Sequence, residues 1–239
     1  MKMKRCFVLV ELCVVLLVLT VFAAMMVSML DKIRCRGEET VCASNLKKLG
    51  AAMGAYCADS QDFMPYALLG TDIKTQDITW DDLLGGGYDG RKMTLTEQLA
   101  TSIGINDDSL YSDLYYCPGG NLKNIGSAAA RSYSINGRTV NREGMSGVGW
   151  SSKIGRIKNP QTFLALTERI SEVNYLGEGS CCFATCPDDQ TKTNPLPHTG
   201  KGNYLFADWH VELLDSKDTI GGGSLKDARG MWSKTVEGR

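Results

Sequence analysis

The chain has two histidines, His198 and His210, and both fall in one short stretch, HTGKGNYLFADWHVELL, with Asp208 between them. Two imidazoles and a carboxylate are the side chains of a divalent-metal site or of an acid–base pair. The flanking residues favour a plainer role. Asn203 to Phe206 and His210 to Leu214 read as two strands of a hairpin, with His198 ahead of the first strand. Asp208 then falls in the turn, where its carboxylate can bond nearby backbone N–H groups. Structural hydrogen bonding is the preferred reading of all three, with metal ligation and catalysis as the alternatives. Nine cysteines form the other reactive set: Cys6, Cys13, Cys35, Cys42, Cys57, Cys117, Cys181, Cys182 and Cys186. Cys181-Cys182-x3-Cys186 lacks the paired C-x2-C spacing of zinc sites, and adjacent loop cysteines are more often disulfide partners of distant residues. No G-x-S-x-G, H-E-x-x-H, P-loop or dinucleotide fingerprint occurs. The chain is read as a non-enzyme, with no catalytic residue and no metal site assigned.

One more carboxylate stands in an unusual place. Phe7 to Leu30, FVLVELCVVLLVLTVFAAMMVSML, is an apolar run broken by a single charge, Glu11. At about 1.5 Å per residue the run is long enough to cross a bilayer as a helix. A carboxylate left unpaired in lipid costs roughly 2–3 kcal/mol or more, so Glu11 needs a cation. Lys2, Lys4 and Arg5 lie just ahead of the run, the arrangement that orients a signal anchor.

The elements that position these groups follow from periodicity. With 239 residues there is room for one anchor and one domain of roughly 180 residues, enough to bury a core unaided. The formal charge of −1 gives no basic field for nucleic acid. Beyond the anchor Cys42, Leu46, Leu49, Met53 and Tyr56 recur in helical steps, with Ile33 upstream and Lys47 and Lys48 on the opposite face. The spacing predicts a single helix of about 50 residues ending near Asp59, weakened modestly by Gly50 and Gly54. Trp80 to Leu84 reads as a short helix before a glycine turn. Met93 to Ile103 reads as another, opened by a Thr94/Glu97 capping box. Further on, a strand ends at Cys117-Pro118, and a strand with Tyr133 and Ile135 meets the hairpin signal Asn136-Gly137. Pro160 leads into a buried strand, Thr162 to Thr167. Residues 171–197 form a polar, cysteine-rich loop.

The N-terminus, MKMKRC followed by the apolar run with Glu11, resembles that of a type IV prepilin or type II secretion pseudopilin. Two further stretches carry the resemblance. CASNLKKLGAAMGAYCADSQDFMPY matches at Cys42, Asn45, Leu46, Lys47, Gly50, Tyr56 and Asp59 the segment that follows the anchor in pilin-like proteins of Planctomycetes and Lentisphaerae type, with Phe63 in place of a glycine and Pro65 near the expected proline. His198, nine residues and Asp208 match that group's C-terminal motif, with Trp209 where glycine is usual, which implies an altered turn or strain.

The resemblance implies an α+β fold, one long N-terminal transmembrane helix packed on an antiparallel sheet. Its parts are a leader at 1–6, a membrane segment at 7–30, an amphipathic continuation at 31–58 and a soluble domain at 59–239. A prepilin peptidase would cut between Cys6 and Phe7, with Cys6 departing from the usual glycine, and Phe7 would be N-methylated. Glu11 would pair with the terminal amine of a neighbouring subunit and set register, because a buried pair is tolerable where a lone charge is not. The family layout implies a Cys42–Cys117 disulfide. It implies no resident cofactor; calcium is the one ion it offers, with Asp188, Asp189, Asp215 and Asp218 as carboxylates that lack EF-hand spacing. The implied partners are the peptidase, an assembly platform, other subunits and the inner membrane. The alternatives are a membrane-tethered extracytoplasmic binding module for a glycan or other surface ligand, with specificity in residues 171–197, and an anchored enzyme using His198, Asp208 or His210.

Overall fold

The structure is a computed structural model that describes residues 3–69, 78–101, 112–120, 124–125, 128–137, 142–177, 184–186, 188, 196–221 and 229–234. Helix α1, Met3–Asp59, spans 57 residues, about 85 Å at the standard rise. Its sequence contains no proline, so no hydrogen bond in it is lost to a missing N–H. It stops where Gln61 (φ 55°) and Asp62 (φ 67°) turn left-handed, and the Asp62 N–H closes on the Cys57 carbonyl at 2.9 Å.

The two halves of α1 differ in surroundings. Leu9 to Leu30 is exposed apolar surface wherever its side chains are described. From Cys42 onward one face is buried: Cys42, Leu46, Leu49, Met53 and Cys57 lie in the main core. The helical spacing therefore marked the packed face, but Ile33 is 65% exposed because it lies ahead of the first contact with the domain. Buried Asn45 serves the neighbouring turn, its Nδ2 donating to the Tyr116 carbonyl at 3.0 Å.

Small elements follow: β1 (Leu68–Leu69), β2 (Ile78–Thr79), α2 (Trp80–Gly85), α3 (Leu95–Thr101), β3 (Asn124–Ile125), β4 (Ala128–Ala129), β5 (Tyr133–Asn136), β6 (Ser146–Gly147) and β7 (Trp150–Ser151). Then come β8 (Leu164–Glu168), β9 (Ala184–Thr185), β10 (Gly202–Phe206), β11 (Val211–Leu214) and α4 (Ser216–Thr219). The main sheet has the order β11-β10-β8-β5-β9. Its pairs are antiparallel except β5–β9, so the sheet is mixed rather than purely antiparallel. Strand β10 is buried along its whole length because both sheet faces are covered. Leu205 meets α1 at Gly50, while Tyr204 and Phe206 pack with Met231 and Trp232 on the other side.

Two sequence expectations are corrected here. The stretch before Cys117 is not a strand but a 3-10 turn, Asp113–Tyr115, followed by another at Pro118–Gly120. Asn136-Gly137 makes no hairpin with a neighbouring sheet strand among the described residues. Asn136 is buried, and its amide ties the Leu164 and Trp232 carbonyls together at 2.9 and 3.2 Å. Its side chain is used across the sheet instead of in a turn.

Candidate functional site

The first candidate is the outer half of α1. An 18-residue window there has mean hydropathy 2.7 and no part of it is buried, which makes the helix long and apolar enough to cross a membrane. Glu11 lies in this stretch with its side chain exposed. Cys6 and Phe7 are in the first turns of the same helix.

The second lies where α1 meets the sheet. A disulfide joins Cys42 on α1 to Cys117 between the two 3-10 turns, with Cα atoms 5.2 Å apart. It closes a 75-residue separation, worth roughly 4 kcal/mol in the chain-entropy model. Against it sit two fully buried polar side chains, Glu168 at the end of β8 and His198. His198 Nε2 is 3.0 Å from Glu168 Oε1 and 3.6 Å from Cys117 Sγ, and Glu168 Oε1 is 3.7 Å from the same sulfur. Asn203 completes the carboxylate's shell, donating its backbone N–H to Oε2 at 2.8 Å and its amide to Oε1 at 3.1 Å. Burial and the nearby Glu168 charge hold the Tyr133 hydroxyl well above the ordinary tyrosine value.

Local sequence fixes His198. Its backbone N–H and C=O both pair with Lys201 across a tight turn with Thr199 at φ 54° and Gly200 at φ 85°. Two left-handed residues are what a type I′ turn requires, and Gly200 supplies one without cost. Gly119 makes room for the ring, since a β-carbon there would stand 3.0 Å from His198 Cε1.

His198 and His210 do not form one site. They flank β10, whose five residues span roughly 17 Å. His210 is partly exposed, stacks on Phe206 at 4.3 Å, and brings Nδ1 to 2.5 Å from Asp208 Oδ1. The Asp208 carboxylate also accepts the His210 backbone N–H at 3.2 Å, the turn bond its position suggested. Trp209, between them, adopts φ 73°. Of the calcium carboxylates, Asp215 caps α4 through the Lys217 N–H at 3.0 Å, and Asp189 lies outside the described residues. Cys181, Cys182 and most of 178–195 also lie outside them.

Sequence reasoning missed Glu168 as a site residue. The signal was present: a carboxylate closing the apolar strand FLALTE. It also missed Asp81, buried at the start of α2, which ion-pairs with Arg131 and accepts from Thr79 Oγ1 at 2.6 Å and the Gly177 N–H at 2.8 Å. Burial raises this carboxyl's pKa, but Arg131, Thr79 and Arg91 outweigh it and hold the group below its usual value. Cys57 is chemically quiet, its thiol pushed up to about 12, chiefly by burial.

Comparison of the chain with models of known protein families, with curated proteins and with solved structures returned no match.

Proposed function

We propose that the chain is a structural subunit, a pilin or pseudopilin, of a type IV pilus-like or type II secretion filament. In this reading it is held in the inner membrane by the outer half of α1, with the domain on the extracytoplasmic side. The observation that carries the reading is the continuity of α1. One unbroken helix joins an exposed apolar half, bearing a lone Glu11, to a half locked on a sheet by core packing and a disulfide. An apolar helix surface of that length needs either lipid or other helices around it. A filament supplies the second, and a neighbour's terminal amine supplies the cation Glu11 needs. The protein then acts by packing, and its partners are a prepilin peptidase, an assembly platform and other subunits.

The test is N-terminal mass spectrometry of the chain from membranes of cells with and without a prepilin peptidase. The expected product begins at Phe7, carries a methyl group, and disappears without the peptidase. An intact Met1 or Lys2 terminus in both would overturn the reading. It would favour a tethered binding module, for which one observation speaks: a cleft of about 470 Å³ lined by Lys153, Arg156, Lys158 and Lys234, suited to an anionic surface ligand.

A further inference from the structure

Glu168 and His198 are both fully buried and paired with each other, His198 Nε2 to Glu168 Oε1 at 3.0 Å, and the Cys42–Cys117 disulfide stands against both. His198 is 1% exposed and turns Nε2 toward the carboxylate and the Cys117 sulfur, while its Nδ1 has no hydrogen-bond partner among the described residues.

The four side chains make sense as one set. Cys42 Sγ, Cys117 Sγ, Glu168 and His198 each place a donor atom within 4.8 Å of all the others, and all four residues are buried. In a tetrahedral zinc site, with ligands at about 2.0–2.3 Å from the metal, neighbouring ligand atoms are about 3.3–3.8 Å apart. Two separations fall in that range, 3.6 Å for Cys117 Sγ to His198 Nε2 and 3.7 Å for Cys117 Sγ to Glu168 Oε1; His198 Nε2 and Glu168 Oε1, at the shorter 3.0 Å, and the two bonded sulfurs would move apart to admit the metal. The supports of a metal site are also in place. Asn203 orients the carboxylate through two bonds, Ser132 Oγ accepts the Cys117 backbone N–H at 2.9 Å, and the 198–201 turn fixes the backbone of His198.

We propose that Cys42, Cys117, Glu168 and His198 form a tetrahedral zinc site in the dithiol form of the chain, and that the Cys42–Cys117 disulfide is the alternative, metal-free state of the same site. Two sulfurs, one imidazole nitrogen and one carboxylate oxygen suit Zn²⁺ among the divalent ions. Binding takes one proton from each thiol and leaves His198 with its proton on Nδ1. Release is a thiol–disulfide exchange. An external disulfide takes two electrons from the two thiolates and two protons from water and becomes a dithiol. The Cys42–Cys117 bond forms, and Zn²⁺ departs because two ligands remain. The sequence expectation of no metal site treated His198 together with His210, and the structure instead groups it with residues distant in the chain. This inference is independent of filament assembly.

The test uses the full chain in detergent micelles, reduced with a phosphine, given Zn²⁺ and freed of unbound metal. Elemental analysis, X-ray absorption at the zinc edge and circular dichroism are read together. The expected result is one zinc per chain with two sulfur and two nitrogen or oxygen neighbours, and none at this site when the disulfide is intact. Replacing Cys181, Cys182 and Cys186 with Ser should leave that zinc in place, and Glu168→Gln should weaken it at least tenfold. A reduced chain that unfolds and is refolded by Zn²⁺ would also support the site. A folded reduced chain without stoichiometric zinc, a reduced chain that stays unfolded with Zn²⁺, zinc with three or four sulfurs, or zinc lost from the triple serine variant would overturn it.

Discussion

The indole of Trp209 lies against α1 at Gly54, where a β-carbon on the glycine would stand only 3.3 Å from Trp209 Nε1. One turn earlier, Gly50 takes the Trp209 β-carbon and Leu205 of β10. The two glycines form a groove in the helix, and the tryptophan of the β10–β11 turn fills it. Trp209 also occupies left-handed backbone, which costs a residue with a β-carbon roughly 1 kcal/mol or more. Side-chain packing therefore holds a backbone conformation that glycine would adopt freely.

Two substitutions at Trp209 separate these effects. Trp209→Ala loses the packing and keeps the strain. Trp209→Gly loses the packing and relieves the strain. Full burial of a tryptophan is worth about 3–5 kcal/mol, and this one is half-buried, so the alanine variant should lose about 2 kcal/mol. The glycine variant should be the more stable of the two by about 1 kcal/mol. Urea denaturation of the full chain in detergent measures both, and equal stabilities would show that the turn is unstrained.

Gly50 and Gly37 should respond oppositely to alanine. Each substitution gains up to about 1 kcal/mol of helix propensity. At Gly50 the new methyl meets Leu205 Cδ1 at 3.0 Å, and Leu205 is fully buried. Overpacking there costs about 1–3 kcal/mol, so Gly50→Ala should lower the unfolding midpoint. At Gly37 nothing lies within 4 Å, so Gly37→Ala should raise helix content by circular dichroism and leave the domain's midpoint unchanged.

The sequence made the local features legible and left the long-range ones hidden. Helical spacing marked Cys42, Leu46, Leu49 and Met53 as the packed face, and they are buried. Thr94 and Glu97 read as a capping box and form one, with the Thr94 N–H to Glu97 Oε2 bond at 2.6 Å. The grouping of Glu168 and His198 with Cys117 was not legible, because it depends on which strand lies beside which. Pairing β8 with β10 sets Glu168 beside Asn203 and the His198 turn, and no period in the sequence encodes that choice. Asn136 failed for a related reason: its turn signal was real, but tertiary contacts to Leu164 and Trp232 outweighed it.

Acid should destabilise the domain through Asp81. Its folded pKa lies below the unfolded value of about 3.9, mainly because Arg131, Thr79 and Arg91 overcome the effect of burial. A depressed carboxyl contributes stability fully above its unfolded pKa and loses it as pH falls through the folded one. The unfolding midpoint should therefore hold from neutral pH to about 4 and then drop. Asp81→Asn should flatten part of that drop. At neutral pH it should cost about 3 kcal/mol, since buried Arg131 loses its ion partner. Denaturation curves at stepped pH check both.

Glu11 separates anchoring from assembly. As a lone carboxylate in an apolar helix it opposes insertion by roughly 2–3 kcal/mol, so Glu11→Leu should hold the chain in membranes at least as well as the native residue does. If its role is to meet a neighbour's terminal amine, the same change should remove the chain from filaments. Glu11→Asp keeps the charge but shortens its reach, and should retain partial incorporation. Fractionation into membrane and sheared-filament pools reads the two effects separately. Leucine and native chains appearing equally in the filament pool would show that Glu11 does not set register, whatever the outcome at Phe7.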